Sequence, residues 1–98
     1  MHCLTVLYPN KEGATFDFEY YLKKHVPLAN GLLRHEFKVS RGMSSAQGGQ
    51  PPFLCIARID IGTVAEFMPV LMQHVEELAN DIPNYTNVEP VILFEELL

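Results

Sequence analysis

The alternation of apolar and polar residues along the chain predicts four β-strands. Residues 2–8 and 53–61 carry apolar side chains on both faces, a pattern typical of the central strands of a sheet. Residues 36–43 alternate between an apolar and a solvated face, which is typical of a strand at a sheet edge. Residues 90–98 alternate again, so this segment is expected to close the chain as a fourth strand.

Two helical regions are predicted between these strands. Thr15 stands where it can cap the first helix, and Pro27 is expected to end or kink it, with a second short helical stretch after the proline. Thr63 and Glu66 form a capping box at the start of the second helix. Pro69 lies inside that helix, where the missing backbone donor predicts a kink.

The order strand, helix, strand, strand, helix, strand predicts an α+β fold of the ferredoxin-like βαββαβ type, with a four-stranded antiparallel sheet. Connection rules place the first and third strands in its centre and the second at an edge. Two helices can cover only one face of such a sheet, so apolar side chains on the other face need a second layer. We expect a second copy of the chain to supply it, burying more than roughly 1,000 Å² in a symmetric homodimer.

Composition narrows the class of partner. The chain has 98 residues, which favours one domain spanning residues 1–98. Its residues are 48% hydrophobic and only 19% charged, which is consistent with an apolar surface that meets a partner. The net charge is −5 and the seven Lys and Arg residues are scattered, so nucleic acid is not an expected partner.

The expected location is the cytoplasm. No apolar run reaches the ~18 residues of a membrane span, and no charged leader segment precedes the first strand, so no membrane partner is expected. Cys3 and Cys55 both lie within apolar strand patterns, where free thiols behave as small hydrophobic side chains. Both are therefore expected to be reduced core residues.

Two polar islands interrupt the apolar patterns. Residues 20–28 read YYLKKHVPL, and residues 81–87 read DIPNYTN. Each island places aromatic hydroxyls, a titratable group and a proline beside apolar helix positions, which are the ingredients of a shaped polar pocket. Together with the VLYP run at 6–9, the FDF run at 16–18 and the Arg41-Gly42 pair, the islands resemble the EthD family of dimeric alpha-beta barrel proteins. This resemblance spans nearly the whole chain.

The resemblance implies a dimeric barrel with a pocket in each subunit between sheet and helices. The family name refers to ethyl tert-butyl ether degradation. Relatives in the broader superfamily include cofactor-free monooxygenases, cyclases, dehydratases, decarboxylases and haem proteins. The resemblance therefore implies small-molecule chemistry without fixing the reaction.

Three residues are candidates for catalysis. His25 ends an amphipathic helix on its apolar side, where the helix end favours the protonated imidazole and burial favours the neutral one, so its pKa is poised for proton transfer. Tyr21 lies one turn earlier, on the same helix face. Tyr85 is placed to donate its hydroxyl to a substrate oxygen. The alternative for His25 is a structural role, in which it satisfies carbonyls at the helix end.

Five further residues are candidates for substrate binding. Asp81, Asn84 and Thr86 flank Tyr85 and are expected to order it, although such residues around a proline also satisfy the local backbone. Tyr8 ends a central strand, where it reaches a cavity mouth or covers the core edge. His74 shares the apolar stripe of the second helix and is either a ligand-binding or a core-rim residue.

No metal site is expected, because no two histidines share a helix face at ligand spacing and no Cys-x-x-Cys occurs. No tightly bound cofactor is expected either, although haem stays open because one axial histidine, His25 or His74, would suffice. The sequence therefore predicts an enzyme that acts on a hydrophobic, aromatic or polyketide-like molecule by oxygenation or acid–base chemistry. The alternative is a non-catalytic dimer that binds a small ligand for a partner oxidase.

Overall fold

A four-stranded antiparallel sheet forms one layer of the molecule. The computed structural model describes residues 1–98. The strands are β1 (His2–Pro9), β2 (Lys38–Arg41), β3 (Phe53–Gly62) and β4 (Val91–Glu96), in the spatial order β2-β3-β1-β4. All three strand pairs are antiparallel. The predicted ferredoxin-like α+β fold is thus confirmed, with the two strands that are apolar on both faces at the centre.

The first helical region does not end at the proline. It comprises α1 (Phe18–Tyr20), a π-helical turn (Tyr21–His25) and α2 (Val26–Leu33), which follow one another without a gap. Val26 donates its backbone N–H to the carbonyl of Tyr21, five residues earlier, which is the wide π-helical spacing. A proline cannot donate and crowds the preceding turn, so a wider turn just before Pro27 lets the helix continue.

The start of this helical region differs from the prediction. Asp17, not Thr15, is the N-cap, since its carboxylate accepts a hydrogen bond from the backbone N–H of Tyr20 at 3.0 Å. The carbonyl of Thr15 instead accepts a hydrogen bond from the hydroxyl of Thr86 at 2.7 Å. This contact ties the segment before the helix to the polar island near the end of the chain.

The second helix, α3 (Val64–Asp81), begins with the expected capping box. Thr63 accepts a hydrogen bond from the backbone N–H of Glu66 at 3.2 Å and donates its hydroxyl to the carboxylate of Glu66 at 2.9 Å. The helix continues through Pro69 to Asp81, and the kink expected there stays a prediction. It ends at Asp81, and a 3-10 turn (Ile82–Asn84) leads into the segment that holds Tyr85.

The buried core consists of two clusters at opposite ends of the central strand. The first cluster contains Tyr8, Tyr21, Val26, Cys55, Tyr85 and Val88. The second contains Leu4, Leu33, Ile59, Ile61 and Phe67. Cys3 and Cys55 are buried free thiols, as expected. Burial raises the pKa of Cys55 to about 12, so its thiol is a packing group and not a nucleophile.

The face of the sheet that the helices do not cover carries a mixed surface. Strand register places Leu7, Ile56 and Val91 side by side at one end of this open face. Val91 and Leu93 are 51% and 45% exposed. In the next row of this face Thr5 lies between Leu93 and Arg58, and Arg58 donates to the hydroxyl oxygen of Thr5 at 3.2 Å. No helix is both long enough and apolar enough to cross a membrane.

Candidate active site

A cavity of about 100 Å³ lies between the sheet and the helices, where the two core clusters meet. Of the 16 residues in its wall, 14 are hydrophobic. The wall contains no Lys, Arg, Asp or Glu, and His25 is its only side chain with a basic nitrogen. Two phenol side chains, those of Tyr8 and Tyr21, also belong to the wall. This is an apolar pocket with a few polar groups of defined chemistry, as small-molecule sites are.

His25 is held by a carboxylate from the other polar island. Its Nδ1 lies 2.9 Å from Oδ2 of Asp81, and the two side chains are 9% and 15% exposed. An ionised carboxylate only accepts hydrogen bonds, so Nδ1 carries the proton and donates it. Nε2 is then the unprotonated nitrogen, and it forms no hydrogen bond within the chain. The arrangement is that of an oriented general base.

Asp81 is itself held by two donors. The hydroxyl of Tyr20 donates to Oδ1 at 2.6 Å, and Nδ2 of Asn84 donates to the same oxygen at 3.0 Å. Oδ2 remains for His25, so the carboxylate cannot rotate without losing a partner. Asp81 and Asn84 are among the binding residues expected from the sequence, whereas Tyr20 is not. The sequence shows two adjacent tyrosines, Tyr20 and Tyr21, but it does not show that Tyr20 reaches Asp81, which lies 61 residues further along the chain.

The pKa values of His25 and Asp81 are both lowered, but by different causes. Burial lowers the pKa of His25 below its ordinary value, and the hydrogen bond with Asp81 opposes that effect only in part. For Asp81, burial by itself raises the pKa, but hydrogen bonds from Tyr20, Asn84 and His25 outweigh it and hold the pKa below the ordinary value. At neutral pH the pair is therefore a neutral imidazole beside a carboxylate.

The Asp81→Asn variant is expected to reverse the tautomer of His25. Tyr20 and Asn84 both donate to Oδ1, so the amide oxygen of the new side chain keeps that place and its NH₂ group faces Nδ1. The imidazole must then accept at Nδ1 and carry its proton on Nε2, which removes the base. ¹⁵N NMR of the imidazole distinguishes the two tautomers. An Asp60→Asn variant, on the exposed open face, should leave them unchanged, and an unaltered Nδ1–H in Asp81→Asn would contradict this assignment.

The rings of Tyr21 and Tyr85 pack against His25, and the ring of Tyr8 packs against both of these tyrosines. The hydroxyls of Tyr8 and Tyr85 are hydrogen-bonded at 2.8 Å, and the ring of Tyr85 lies 4.6 Å from the imidazole. Tyr21 stacks on His25 with ring centroids 5.5 Å apart, as their spacing on one helix face predicts. Tyr85 is buried but is not part of the cavity wall, whereas Tyr8 is. Of the two hydrogen-bonded tyrosines, only Tyr8 therefore lines the cavity.

The tyrosine hydroxyls remain protonated donors. Burial is the main cause that raises the pKa of each of Tyr8, Tyr21 and Tyr85 above the ordinary value of a phenol. None of the three can act as a base at physiological pH. A phenol that keeps its proton in an apolar wall is suited to donate to an oxygen that gains negative charge.

The remaining candidates lie outside the cavity wall. Thr86 donates to the carbonyl of Thr15 and accepts from the backbone N–H of Val88 at 3.2 Å, so its hydroxyl is occupied by the backbone. Asn84 is exposed and is linked to His25, which lines the cavity, through the carboxylate of Asp81. His74 is half-buried on α3 and does not line the cavity.

No group of three or more His, Cys, Asp or Glu side chains is arranged to hold a metal ion. The absence of a tightly bound cofactor and the alternative of an axial histidine for haem both stay predictions. Among the histidines, only His25 faces the cavity. A planar group as large as a haem would not fit in a space of about 100 Å³ without movement of the surrounding helices.

The fold and the site define an α+β protein of the ferredoxin-like class with one small apolar pocket under the helices. The chain superposes on an EthD-like protein from Ralstonia eutropha with a TM-score of 0.88 and 31% identity, covering 97% of this chain and 89% of that one. This similarity shows that the chain belongs to the EthD family, which confirms the resemblance seen in the sequence.

Two other solved structures share the fold. An EthD family protein from Bacillus halodurans has a TM-score of 0.66 and 18% identity, covering 100% of this chain and 99% of that one. A protein from Arabidopsis thaliana has a TM-score of 0.63 and 18% identity, with coverage of 100% and 96%. No protein-family model matches the sequence, and a search of curated proteins finds no match.

Proposed function

We propose that this EthD family member is a small-molecule enzyme that performs acid–base chemistry on a hydrophobic substrate in the cavity, without a tightly bound cofactor. One observation carries the proposal: the two nitrogens of His25 have different surroundings. Nδ1 is held by Asp81 at 2.9 Å, and Nε2 is left free on a side chain that lines the cavity. A neutral, oriented imidazole in a largely apolar pocket is suited to take a proton.

The reaction step we propose is abstraction of a proton from a carbon next to a substrate carbonyl. The C–H bond breaks, the proton passes to Nε2 of His25, and the electron pair moves onto the carbonyl oxygen. Tyr8 donates its hydroxyl to that oxygen and stabilises the enolate. Return of the proton to the same carbon gives exchange only, whereas its delivery to the oxygen or to another carbon completes an isomerisation. Addition of O₂ to the enolate carbon would instead form a C–O bond and a hydroperoxide once the proton is returned.

Exchange of deuterium into a model ketone tests this step without knowledge of the natural substrate. Phenylacetone is incubated with the protein in D₂O, and loss of its α-proton signals is followed by ¹H NMR. The proposal expects saturable exchange well above the buffer rate. If exchange never exceeds that rate while the ketone binds, the non-catalytic alternative is favoured, namely a dimer that holds a ligand for a partner oxidase. The largely apolar wall of the cavity is compatible with that alternative.

Replacement of the two hydrogen-bonded tyrosines should give unequal losses. Tyr8→Phe removes the hydroxyl at the cavity wall and is expected to lower the exchange rate by about 100-fold, as loss of an oxyanion donor does. Tyr85→Phe removes only the partner of Tyr8 and should cost about fivefold, because a neutral hydrogen bond is worth about 1 kcal/mol. Initial exchange rates of both variants decide the order. A larger loss in Tyr85→Phe would return the donor role to Tyr85.

The pH dependence follows from the lowered pKa of His25. The base is active when neutral, so exchange should be constant above pH 7 and should fall only as the pH drops through a pKa below the ordinary value of about 6.5. Stability changes in the same range, since the unfolded chain binds this proton more readily and the free energy of unfolding decreases as the pH falls below about 6.5. A rate profile and denaturant titrations from pH 5 to 8 measure both effects. An inflection above about pH 7 would contradict the assignment.

We also propose that the enzyme is a homodimer in which two open sheet faces pack together. The half-exposed side chains of Val91 and Leu93 on a face that no helix covers support this assembly. Val91 lies in register with the half-buried Leu7, and Leu7 with the half-buried Ile56, so this row of the apolar surface is continuous across three strands. Burial of such a surface is the main driving force of permanent dimers.

A further inference from the structure

The two ends of the cavity differ in chemistry. Tyr8 and His25 lie at one end, and Leu4 and Leu33 lie at the other. Tyr8 lies four positions after Leu4 on β1, which is about 13 Å along a strand. Leu33 lies eight positions after His25 in the helical region, which is about 12 Å along a helix. The two pairs of wall residues therefore lie about 12–13 Å apart along their elements, and the hydrogen-bonding groups are at one end only.

The polar end is suited to an uncharged oxygen. The wall contains no Lys or Arg that could pair with an anion, and the carboxylate of Asp81 lies directly behind His25. A carboxylate or phosphate group of a ligand would lose its hydration and gain no opposite charge. A carbonyl or hydroxyl loses much less, because the Tyr8 phenol can donate to it and Nε2 can accept from it.

The space limits the size of the ligand. A cavity of about 100 Å³ lies below the roughly 300 Å³ at which pockets for larger ligands begin, so it holds about one ring with a short substituent. At the apolar end, Leu71 of α3 joins Leu4 and Leu33 in the wall. These side chains offer contact to carbon and nothing to a second polar group.

We infer that the cavity selects uncharged, single-ring compounds with one oxygen function, bound with the oxygen at Tyr8 and His25 and the hydrocarbon part against Leu4, Leu33 and Leu71. This inference deepens the proposed function, because it uses the same polar end and rests on it for the role of the bound molecule. Selective binding of such compounds can be measured whether or not the bound compound reacts.

Three probes of similar size test the selection on the unaltered protein at pH 7.5. Acetophenone carries one uncharged oxygen, benzoate replaces it with a carboxylate, and ethylbenzene lacks oxygen. We expect acetophenone to bind at least about tenfold more tightly than benzoate, because the charge of benzoate is not compensated. Ethylbenzene should bind several-fold more weakly than acetophenone, and Tyr8→Phe should remove that difference. Dissociation constants come from NMR shifts of the His25 ring protons.

A pair of variants on α3 tests the orientation. Leu71→Trp fills the apolar end and should abolish binding of acetophenone, whereas Met72→Trp, at a neighbouring position that is 63% exposed, should leave it unchanged. Circular dichroism checks that both variants fold. If Leu71→Trp does not fold, the probe series on the unaltered protein still decides. Equal or tighter binding of benzoate, or no saturation by any probe at millimolar concentration, overturns the inference.

The two failures can be told apart. If acetophenone binds selectively but phenylacetone shows no exchange above the buffer rate, the recognition stands and the catalytic proposal falls. If phenylacetone exchanges in a His25-dependent manner but benzoate competes as well as acetophenone, the catalysis stands and the selection falls.

Discussion

His25→Ala should lower the rate of α-proton exchange by about 10²–10⁴-fold, the range that a positioned general base contributes. The loss is large because no other side chain of the cavity wall can take a proton at neutral pH. The wall otherwise offers phenols with raised pKa values and aliphatic groups. Exchange rates measured at saturating phenylacetone separate this loss from weaker binding.

Two controls separate catalysis from folding in this variant. His74→Ala removes a half-buried histidine outside the cavity wall and should keep the full rate. Added imidazole should restore part of the exchange in His25→Ala, since a free base can enter the space that the substitution opens. A residue with only a structural role would give no such rescue. Full activity in His25→Ala with an intact fold would refute the catalytic proposal.

Val91→Glu should raise the dissociation constant of the proposed homodimer by at least about 100-fold. A two-fold interface contains every substituted position twice, so one substitution buries two uncompensated carboxylates. Sedimentation equilibrium across the micromolar range measures the change. The sheet itself should remain intact, because Val91 is half-exposed in the single chain and a charge there is solvated once the partner leaves.

Leu22→Glu is the matched control for this experiment. Leu22 and Val91 are both 51% exposed, but Leu22 lies in the helical layer and not on the open sheet face. The same loss of apolar surface at Leu22 should therefore leave assembly unchanged. If the unaltered protein sediments as a stable monomer at micromolar concentration, the open face has another occupant or none, and the proposed assembly is wrong.

The fold could be predicted from the sequence because its information is local. Strands that are apolar on both faces must be covered on both, so β1 and β3 had to be central, and this was confirmed. The capping box at Thr63 is likewise a contact between residues three apart. A kink at Pro27 with a second helical stretch after it was one of the two predicted outcomes, but the wide π-helical turn that lets the helix continue has no sequence pattern of its own.

The site could be predicted only in part, because its contacts are distant in sequence. His25 and Asp81 lie 56 residues apart, and for each of them the sequence also allowed a structural role, namely a hydrogen bond to the local backbone. Tyr8 and Tyr85 lie 77 residues apart, so which of the two tyrosines lines the cavity depends on how the chain packs. Composition can bring tyrosines and a histidine to attention, but it cannot say which of them faces the cavity.

The outer strand β4 has a consequence for handling the protein. Val91, Ile92 and Leu93 are consecutive aliphatic side chains, all roughly half-exposed, on a strand with one unpaired edge. Segments of this kind recruit further strands and seed fibrils when nothing blocks them. In the proposed homodimer the open-face side chains Val91 and Leu93 are covered, so a dimer-breaking variant that keeps them apolar would precipitate more readily on storage, and pairing between copies would serve colloidal stability as well as architecture.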